Sequence, residues 1–176
     1  EEAIQKSIRS LDIGLHGFEY CEYDEHALAN PTDERLFQLY SALKDGMEVP
    51  YLAELTKMDE FFIYKIKNIV DFEATVTKEA LDDKEYLLKA KKLGFSDYTL
   101  AALSGMDESD VKALREKYEL KPSYKMVDTC AAEFEAKTPY YYSSYDVGNE
   151  LTSTARKKVV ILGAGPIRIG QGVEFD

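Results

Sequence analysis

Hydrophobic residues recur at helical spacing through most of the first 120 positions of the chain. At the start, Ile4, Ile8 and Leu11 fall on one helical face, and Gly14 and Gly17 follow them. A helix of this length is marginally stable by itself. The pattern therefore predicts the closing helix of a unit that begins upstream.

A second helix is predicted after Asn30–Glu34. This stretch offers a capping side chain, a proline suited to a first turn and two acids that favour the positive end of a helix dipole. The apolar face of this helix carries Leu36, Leu39, Tyr40 and Leu43, and Gly46 ends it. A further helix, capped by Asp82 or Asp83, is predicted to run to Gly94, with three lysines near its negative end.

The middle of the chain repeats itself at an offset of 48 residues. Leu52–Glu60 recurs as Leu100–Glu108 with the same order of leucine, hydroxyl, methionine and acidic residues. Each copy predicts a short helix, a tight turn and an aspartate, Asp59 or Asp107, that caps a longer amphipathic helix.

The helical period ends near Lys121, and Tyr, Ser and Thr become frequent up to Lys158. We predict an extended connecting segment here. Its tyrosines at 140–142 and 145 are expected to clamp onto the apolar surface of a neighbouring domain. From Lys158 to Leu162 a short apolar run predicts a buried parallel strand, the beginning of a truncated α/β domain.

Charge narrows the classes of partner. Lys and Arg number 22 against 33 Asp and Glu, a formal net charge of −11 that repels nucleic acid and anionic lipid. A stand-alone helix-turn-helix module that binds DNA or another partner is the alternative hypothesis, but neither helix pair shows the clustered basic face of a DNA reader. No stretch is apolar enough for a membrane span, and no signal peptide is visible at Glu1.

Candidate chemistry is sparse. His16, Cys21 and His26 recur every five residues, a spacing that places them on no common face, so no metal site is predicted. Cys130 has no histidine near it in sequence and is predicted to be a buried thiol rather than a nucleophile. Two distant cysteines favour a reducing compartment, the cytoplasm.

A glycine loop follows the predicted strand, with Gly163, Gly165 and Gly170 as its flexible positions. Such a loop lets backbone N–H groups approach an anion at a helix N-terminus. The match to a dinucleotide fingerprint is poor because Arg168 stands at the third glycine position and Pro166 lacks an N–H.

Three motifs together resemble one family. Val127–Phe134, the tyrosine-rich stretch and Gly163–Asp176 are similar to the carbamoyl phosphate synthase large subunit, and Gly94–Asp97 fits the same order. The resemblance implies a mainly α fold: the tail of a first ATP-grasp half at 1–20, an all-helical oligomerisation domain with its linker at 21–150, and the truncated Rossmann-like start of a second half at 155–176.

The resemblance also implies a ligase that makes carbamoyl phosphate from bicarbonate, glutamine-derived ammonia and two ATP, for arginine and pyrimidine biosynthesis. The parent enzyme is expected to use Mg or Mn and K and to bind a small glutaminase subunit. Gly172 and Glu174 match positions that line its internal tunnel, with a structural pairing of Glu174 to Arg168 as the alternative.

Most of that machinery lies on segments outside these 176 residues. We therefore expect a piece that joins the two halves, mediates contacts between large subunits and carries no catalytic residues, metal site or cofactor of its own. For the oligomer contact, the sequence predicts an exposed apolar surface formed by Leu36, Phe37 and Tyr40.

Overall fold

A computed structural model of the chain describes residues 1–11, 13–138 and 140–159. Within these ranges the chain forms helices followed by a small antiparallel sheet, so the prediction of a mainly helical fold is confirmed. The predicted Rossmann-like strand, except for its first residues, and the glycine loop lie outside the described residues. In chain order, the elements are α1 (Glu2–Ser10), α2 (Glu25–Ala29), α3 (Arg35–Lys44), α4 (Val49–Thr56), α5 (Glu60–Glu73), α6 (Lys78–Leu81), α7 (Lys84–Lys92), α8 (Asp97–Ser104), α9 (Glu108–Lys117), β1 (Ser123–Met126) and β2 (Tyr141–Ser144).

One hydrophobic core joins α1 to α9. Helix α5 contributes Ile63, Ile66 and Ile69, whose three- to four-residue spacing places all three on one buried face. The fully buried leucines of the same core come from the other helices: Leu28, Leu39, Leu52, Leu81, Leu87 and Leu100. Burying each of these side chains stabilises the fold by about 1.5–3 kcal/mol. The apolar faces of the amphipathic helices therefore supply most of the stabilisation from packing.

The predicted caps around residue 30 are wrong in one respect. Asn30 ends α2 rather than starting α3, because its side-chain amide donates backwards to the carbonyl of His26 at 2.8 Å. Helix α3 begins only at Arg35, after the turn formed by residues 33 and 34, and Glu34 at its N-cap makes no side-chain capping bond. The short helix α2 was not predicted.

Two of the three other predicted caps form their side-chain bonds. Asp59 accepts from the N–H of Phe61 at 2.8 Å, and Asp83 accepts from the N–H of Tyr86 at 2.7 Å. Asp107 also occupies an N-cap, at the start of α9, although its side chain makes no capping bond. Each capping bond contributes about 1 kcal/mol and fixes where its helix starts.

Helix α1 packs against the end of α7. The buried amide of Gln5 donates to the Leu93 carbonyl at 3.0 Å, and Arg9 donates to the Gly94 carbonyl at 2.9 Å. These bonds satisfy backbone carbonyls that the end of a helix leaves free. The domain boundaries at residues 20 and 155 stay predictions.

The segment after α9 is extended, and part of it forms a hairpin that was not predicted. Strands β1 and β2 pair antiparallel, with Tyr124 opposite Ser143 and Lys125 opposite Tyr142. The outer edge of β1 is also occupied, because Glu150 N–H donates to the Tyr124 carbonyl at 2.8 Å. Tertiary pairing thus orders a segment in which the sequence shows no clear alternation.

No helix in the described part of the chain is long and apolar enough to cross a membrane.

Candidate functional site

The two repeats fold as matching helix pairs. Helices α4 and α5 correspond to α8 and α9, and the connection in each pair contains one residue with left-handed backbone, Lys57 at φ 58° and Gly105 at φ 69°. The first inward residue of the longer helix is fully buried in both pairs, as Ile63 and as Val111. At this position the inner faces of the two pairs are therefore built alike.

The outward faces of the two pairs differ. Phe61, Phe62 and Tyr64 of α5 are 59%, 55% and 46% exposed. The equivalent positions of α9 carry Ser109, Asp110 and Lys112, which are exposed too. We call Phe61, Phe62 and Tyr64 the aromatic patch. Because exposed aromatic groups in contact mark interaction surfaces, the patch is a candidate site for binding another protein.

Two of the three aromatic rings of the patch are in contact. The rings of Phe61 and Phe62 meet edge to face, with centroids 5.3 Å apart and an interplanar angle of 84°. The ammonium of Lys65 lies 5.0 Å from the Phe61 ring centroid, a cation–π contact. The same ammonium lies 3.6 Å from a carboxylate oxygen of Glu1. An ion pair at the edge of the patch thus links it to the beginning of α1.

The surface predicted from the sequence on α3 is only partly exposed. Leu36 is 40% exposed and Phe37 is half-buried, but Tyr40 is only 2% exposed. Tyr40 stacks on Phe18 with ring centroids 5.0 Å apart, and Phe18 also meets Phe37 edge-on. The expectation that Tyr40 is exposed is therefore wrong, because the turn around Phe18 covers its ring.

Tyr40 instead belongs to a buried polar group between α3 and α5. Its hydroxyl donates to the carboxylate of Glu73 at 2.6 Å and accepts from the ammonium of Lys44 at 2.9 Å. Burial and the hydrogen bond to Glu73 raise the pKa of Tyr40 far above its usual value. The phenol stays neutral, and the group acts as a structural link between the two helices.

A cleft of about 590 Å³ is lined in part by Phe37 of that predicted surface. Its apolar walls include Leu11, Ile13 and Phe37, while acids line its rim: Glu19, Asp33 and Glu34. A rim with three carboxylates favours a cationic partner over an acidic one.

A second charged cluster joins the end of α7 to α8 and α9. Arg115 donates to the Asp97 carboxylate through its single Nε–H, which lies 2.8 and 2.9 Å from the two oxygens, and through Nη2 at 2.5 Å. Lys91 donates to the same carboxylate at 2.8 Å. Lys91 also donates to the Phe95 carbonyl at 2.6 Å. Burial lowers the pKa of Lys91, although Asp97 acts against this shift.

The same cluster contacts the hairpin. The ammonium of Lys91 lies 5.6 Å from the ring centroid of Tyr145. Burial raises the pKa of the Tyr145 phenol. Tyr145 thus packs against the helical core, whereas Tyr140, Tyr141 and Tyr142 are exposed. The clamp onto a neighbouring domain stays a prediction for these three.

Cys130 is not buried as predicted. It is partly exposed in a turn whose backbone bonds to Asp128, with Cys130 N–H donating to that carboxylate at 2.8 Å and Ala132 N–H at 2.7 Å. These bonds hold the segment as a surface loop.

The two histidines and the cysteine that recur every five residues, His16, Cys21 and His26, form no common group in the structure. His16 stacks on Tyr98 with ring centroids 3.9 Å apart, and Cys21 lies beside the Ser41 hydroxyl. In the ranges that the structure describes, no three His, Cys, Asp or Glu side chains are grouped as a metal site requires.

The predicted residues of the second half are not described. Gly163, Gly165, Gly170, Gly172 and Glu174 all lie outside the described residues. Their roles stay predictions.

The helical part of the chain matches a known family model. The model for the "Carbamoyl-phosphate synthetase large chain, oligomerisation domain" matches residues 1–119, which include α1 to α9. The chain belongs to this family. The resemblance inferred from the sequence is thereby confirmed, and the matches give no support to a stand-alone helix-turn-helix module.

Relatives of the chain support the same family assignment. The chain is 66% identical over 176 residues to the carbamoyl phosphate synthase large chain of Methanobrevibacter smithii, and 58% identical over 176 residues to that of Methanothermobacter thermautotrophicus. It is 50% identical, over an alignment of 190 residues, to the large chain of Archaeoglobus fulgidus. Each alignment covers all of this chain but only 17%, 17% and 18% of the relative.

Proposed function

We propose that this chain is the oligomerisation segment of a carbamoyl phosphate synthase large chain and that its helical part binds other large chains. The match of the oligomerisation-domain model to residues 1–119 carries this proposal. The exposed aromatic residues on α5 supply apolar surface for such contacts.

Sedimentation equilibrium of the 176-residue chain tests the proposal directly. Between about 1 and 100 µM, a range that spans typical weak interfaces, we expect the average mass to rise reversibly above that of one chain. A mass of 20.0 kDa across the whole range would contradict the proposal.

The whole protein is proposed to be a ligase that joins bicarbonate and glutamine-derived ammonia at the expense of two ATP. It would use Mg or Mn and K, bind a small glutaminase subunit and supply arginine and pyrimidine biosynthesis in the cytoplasm. This chain spans only 17% of its relatives' length, so we expect it to lack this activity alone. ATP consumption by the purified chain with bicarbonate and ammonia would contradict that expectation.

Residues 155–176 are proposed to open the second synthetase half. The glycine loop Gly163, Gly165 and Gly170 would support its nucleotide domain, and Gly172 and Glu174 would line the tunnel. The support for these roles is the sequence pattern itself.

The surface of α3 remains a second candidate for the contact between chains, now reduced to Leu36 and Phe37. Leu36 is 40% exposed, so a charged residue there should leave the fold intact. We expect Leu36→Glu to weaken self-association if this surface takes part. An unchanged sedimentation profile would remove α3 from the interface.

A further inference from the structure

The internal repeat supplies a control for what the helix-pair fold requires. Both pairs bury an aliphatic residue at the same position, Ile63 or Val111, and both connections contain one residue with left-handed backbone. The two residues just before this buried position are Phe61 and Phe62 in the first pair, and they correspond to Ser109 and Asp110 in the second. Since the second pair folds with polar residues there, the aromatic patch is not needed to form the pair.

From this contrast we infer that the aromatic patch on α5 is where two copies of this chain meet. The inference rests on the proposed function, self-association, and assigns it to named residues. Exposed aromatic side chains lose unfavourable contact with water when a second apolar surface covers them. Aromatic residues are also enriched in the cores of protein interfaces.

Charge favours this surface over the acidic cleft beside α3. Each copy carries a net charge of −11, so two copies repel one another wherever acids face acids. The cleft has Glu19, Asp33 and Glu34 around it. A second copy placed there would bring like charges together.

The aromatic patch has charges of both signs around it. Lys57 precedes it, Glu60 adjoins it and Lys65 lies over the Phe61 ring. Around a two-fold axis, the same surface faces itself, so a lysine of one copy can face a glutamate of the other. The surface is thus self-complementary in charge as well as apolar at its centre.

The size of the patch sets the expected strength. Three aromatic side chains that are about half exposed offer on the order of 300 Å² per copy, compared with about 800 Å² per partner in a standard interface. The patch would therefore be the centre of a larger contact. We expect a reversible dimer that dissociates on dilution.

The test exchanges the patch for the residues of the second repeat. The triple variant Phe61→Ser, Phe62→Asp, Tyr64→Lys carries at each position what α9 carries, and its net charge equals that of the wild type. We expect its dimer dissociation constant, from sedimentation equilibrium, to rise at least tenfold, with the far-UV circular dichroism and urea midpoint nearly unchanged. Tyr142→Ser, which removes a half-exposed tyrosine from β2, is the matched control and should associate like the wild type.

The outcomes separate this inference from the proposed function. A wild-type chain that stays monomeric contradicts self-association itself. A wild type that associates, with a folded triple variant that associates equally well, overturns only the assignment to the patch. Weaker association of both the triple variant and Tyr142→Ser would also overturn it. Removing any exposed aromatic residue would then weaken association, whether or not it belongs to the patch.

Photo-crosslinking covers the case in which the triple variant does not fold. A benzophenone amino acid at position 62 of the otherwise wild-type chain is expected to give a covalent dimer linked to α5 of the second copy. The same group at position 110, on α9, should give none. Absence of a dimer from position 62, or a link to the α3 cleft, would overturn the inference.

Discussion

Gly94 lies so close to Glu2 that a Cβ atom on Gly94 would stand 2.8 Å from the Glu2 Cα and 3.2 Å from its carbonyl oxygen. Gly94 also has φ +92°, a conformation that L side chains rarely adopt. The glycine therefore serves two purposes: it ends α7, and it lets the beginning of α1 pack against the helical core.

We predict that Gly94→Ala destabilises the chain by about 3 kcal/mol, from backbone strain and from displacement of α1 together. Gly105→Ala is the matched control. It also has a positive φ, at +69°, but its added methyl would meet nothing within 4 Å, so strain alone should cost about 1 kcal/mol. Urea unfolding measures both, and equal losses would show that the contact with Glu2 contributes nothing.

The pair of Asp97 and Arg115 should make stability depend on acid pH. Burial raises the pKa of Asp97, but hydrogen bonds from Arg115 and Lys91 outweigh it and leave the pKa below its ordinary value. The folded state then binds the proton less readily than the unfolded state. This contribution is complete above the unfolded pKa of about 3.9 and disappears as the pH falls through the lower folded value.

Asp97→Asn tests this linkage. Near pH 6 we expect a loss of about 3 kcal/mol, since Arg115 and Lys91 lose their buried counter-charge. The difference between the wild type and Asp97→Asn should narrow as the pH is lowered towards about 3. A difference in urea midpoint that stays constant over this range would contradict the prediction.

Tyr40→Phe is predicted to destabilise the chain by about 1–2 kcal/mol. The change removes the donor at 2.6 Å and leaves the buried Glu73 carboxylate with Lys44 at 3.5 Å. In Tyr51→Phe, a hydroxyl bonded to Glu25 is removed from an exposed site, so the loss should stay within about 0.5 kcal/mol. Thermal or urea unfolding compares them, and an equal effect would argue against a special role for burial.

Salt should strengthen self-association through the aromatic patch. Each copy carries a net charge of −11, and added salt screens the repulsion between copies while leaving apolar contact intact. We expect the dissociation constant from sedimentation to fall as NaCl rises from about 50 to about 500 mM. An interface held chiefly by ion pairs would instead weaken, and that result would contradict an apolar interface.

Several elements could be predicted because their causes are local. The repeat predicted both helix pairs, and Asp59 and Asp83 cap their helices as expected. The sequence pattern predicts the wrong helix for Asn30, because an asparagine side chain can bond either to the helix before it or to the helix after it. Only the packing of α2 decides between them.

Exposure could not be predicted from periodicity. Leu36 and Tyr40 share one apolar face in the sequence pattern, yet Leu36 is 40% exposed and Tyr40 is buried under Phe18. The aromatic patch could have been found from sequence, by comparing Phe61 and Phe62 with Ser109 and Asp110 in the repeat. The signal was a difference between two copies rather than a motif.

The sequence by itself determined the family, the mainly helical fold and the repeated helix pairs, since caps, turns and amphipathic periods act over a few residues. Tertiary structure decided which apolar side chains stay exposed, how Gly94 admits α1, and that Asp97 gathers Lys91 and Arg115 from two different helices. These relationships join residues far apart in the chain. They depend on the packing of whole helices, which no local pattern specifies.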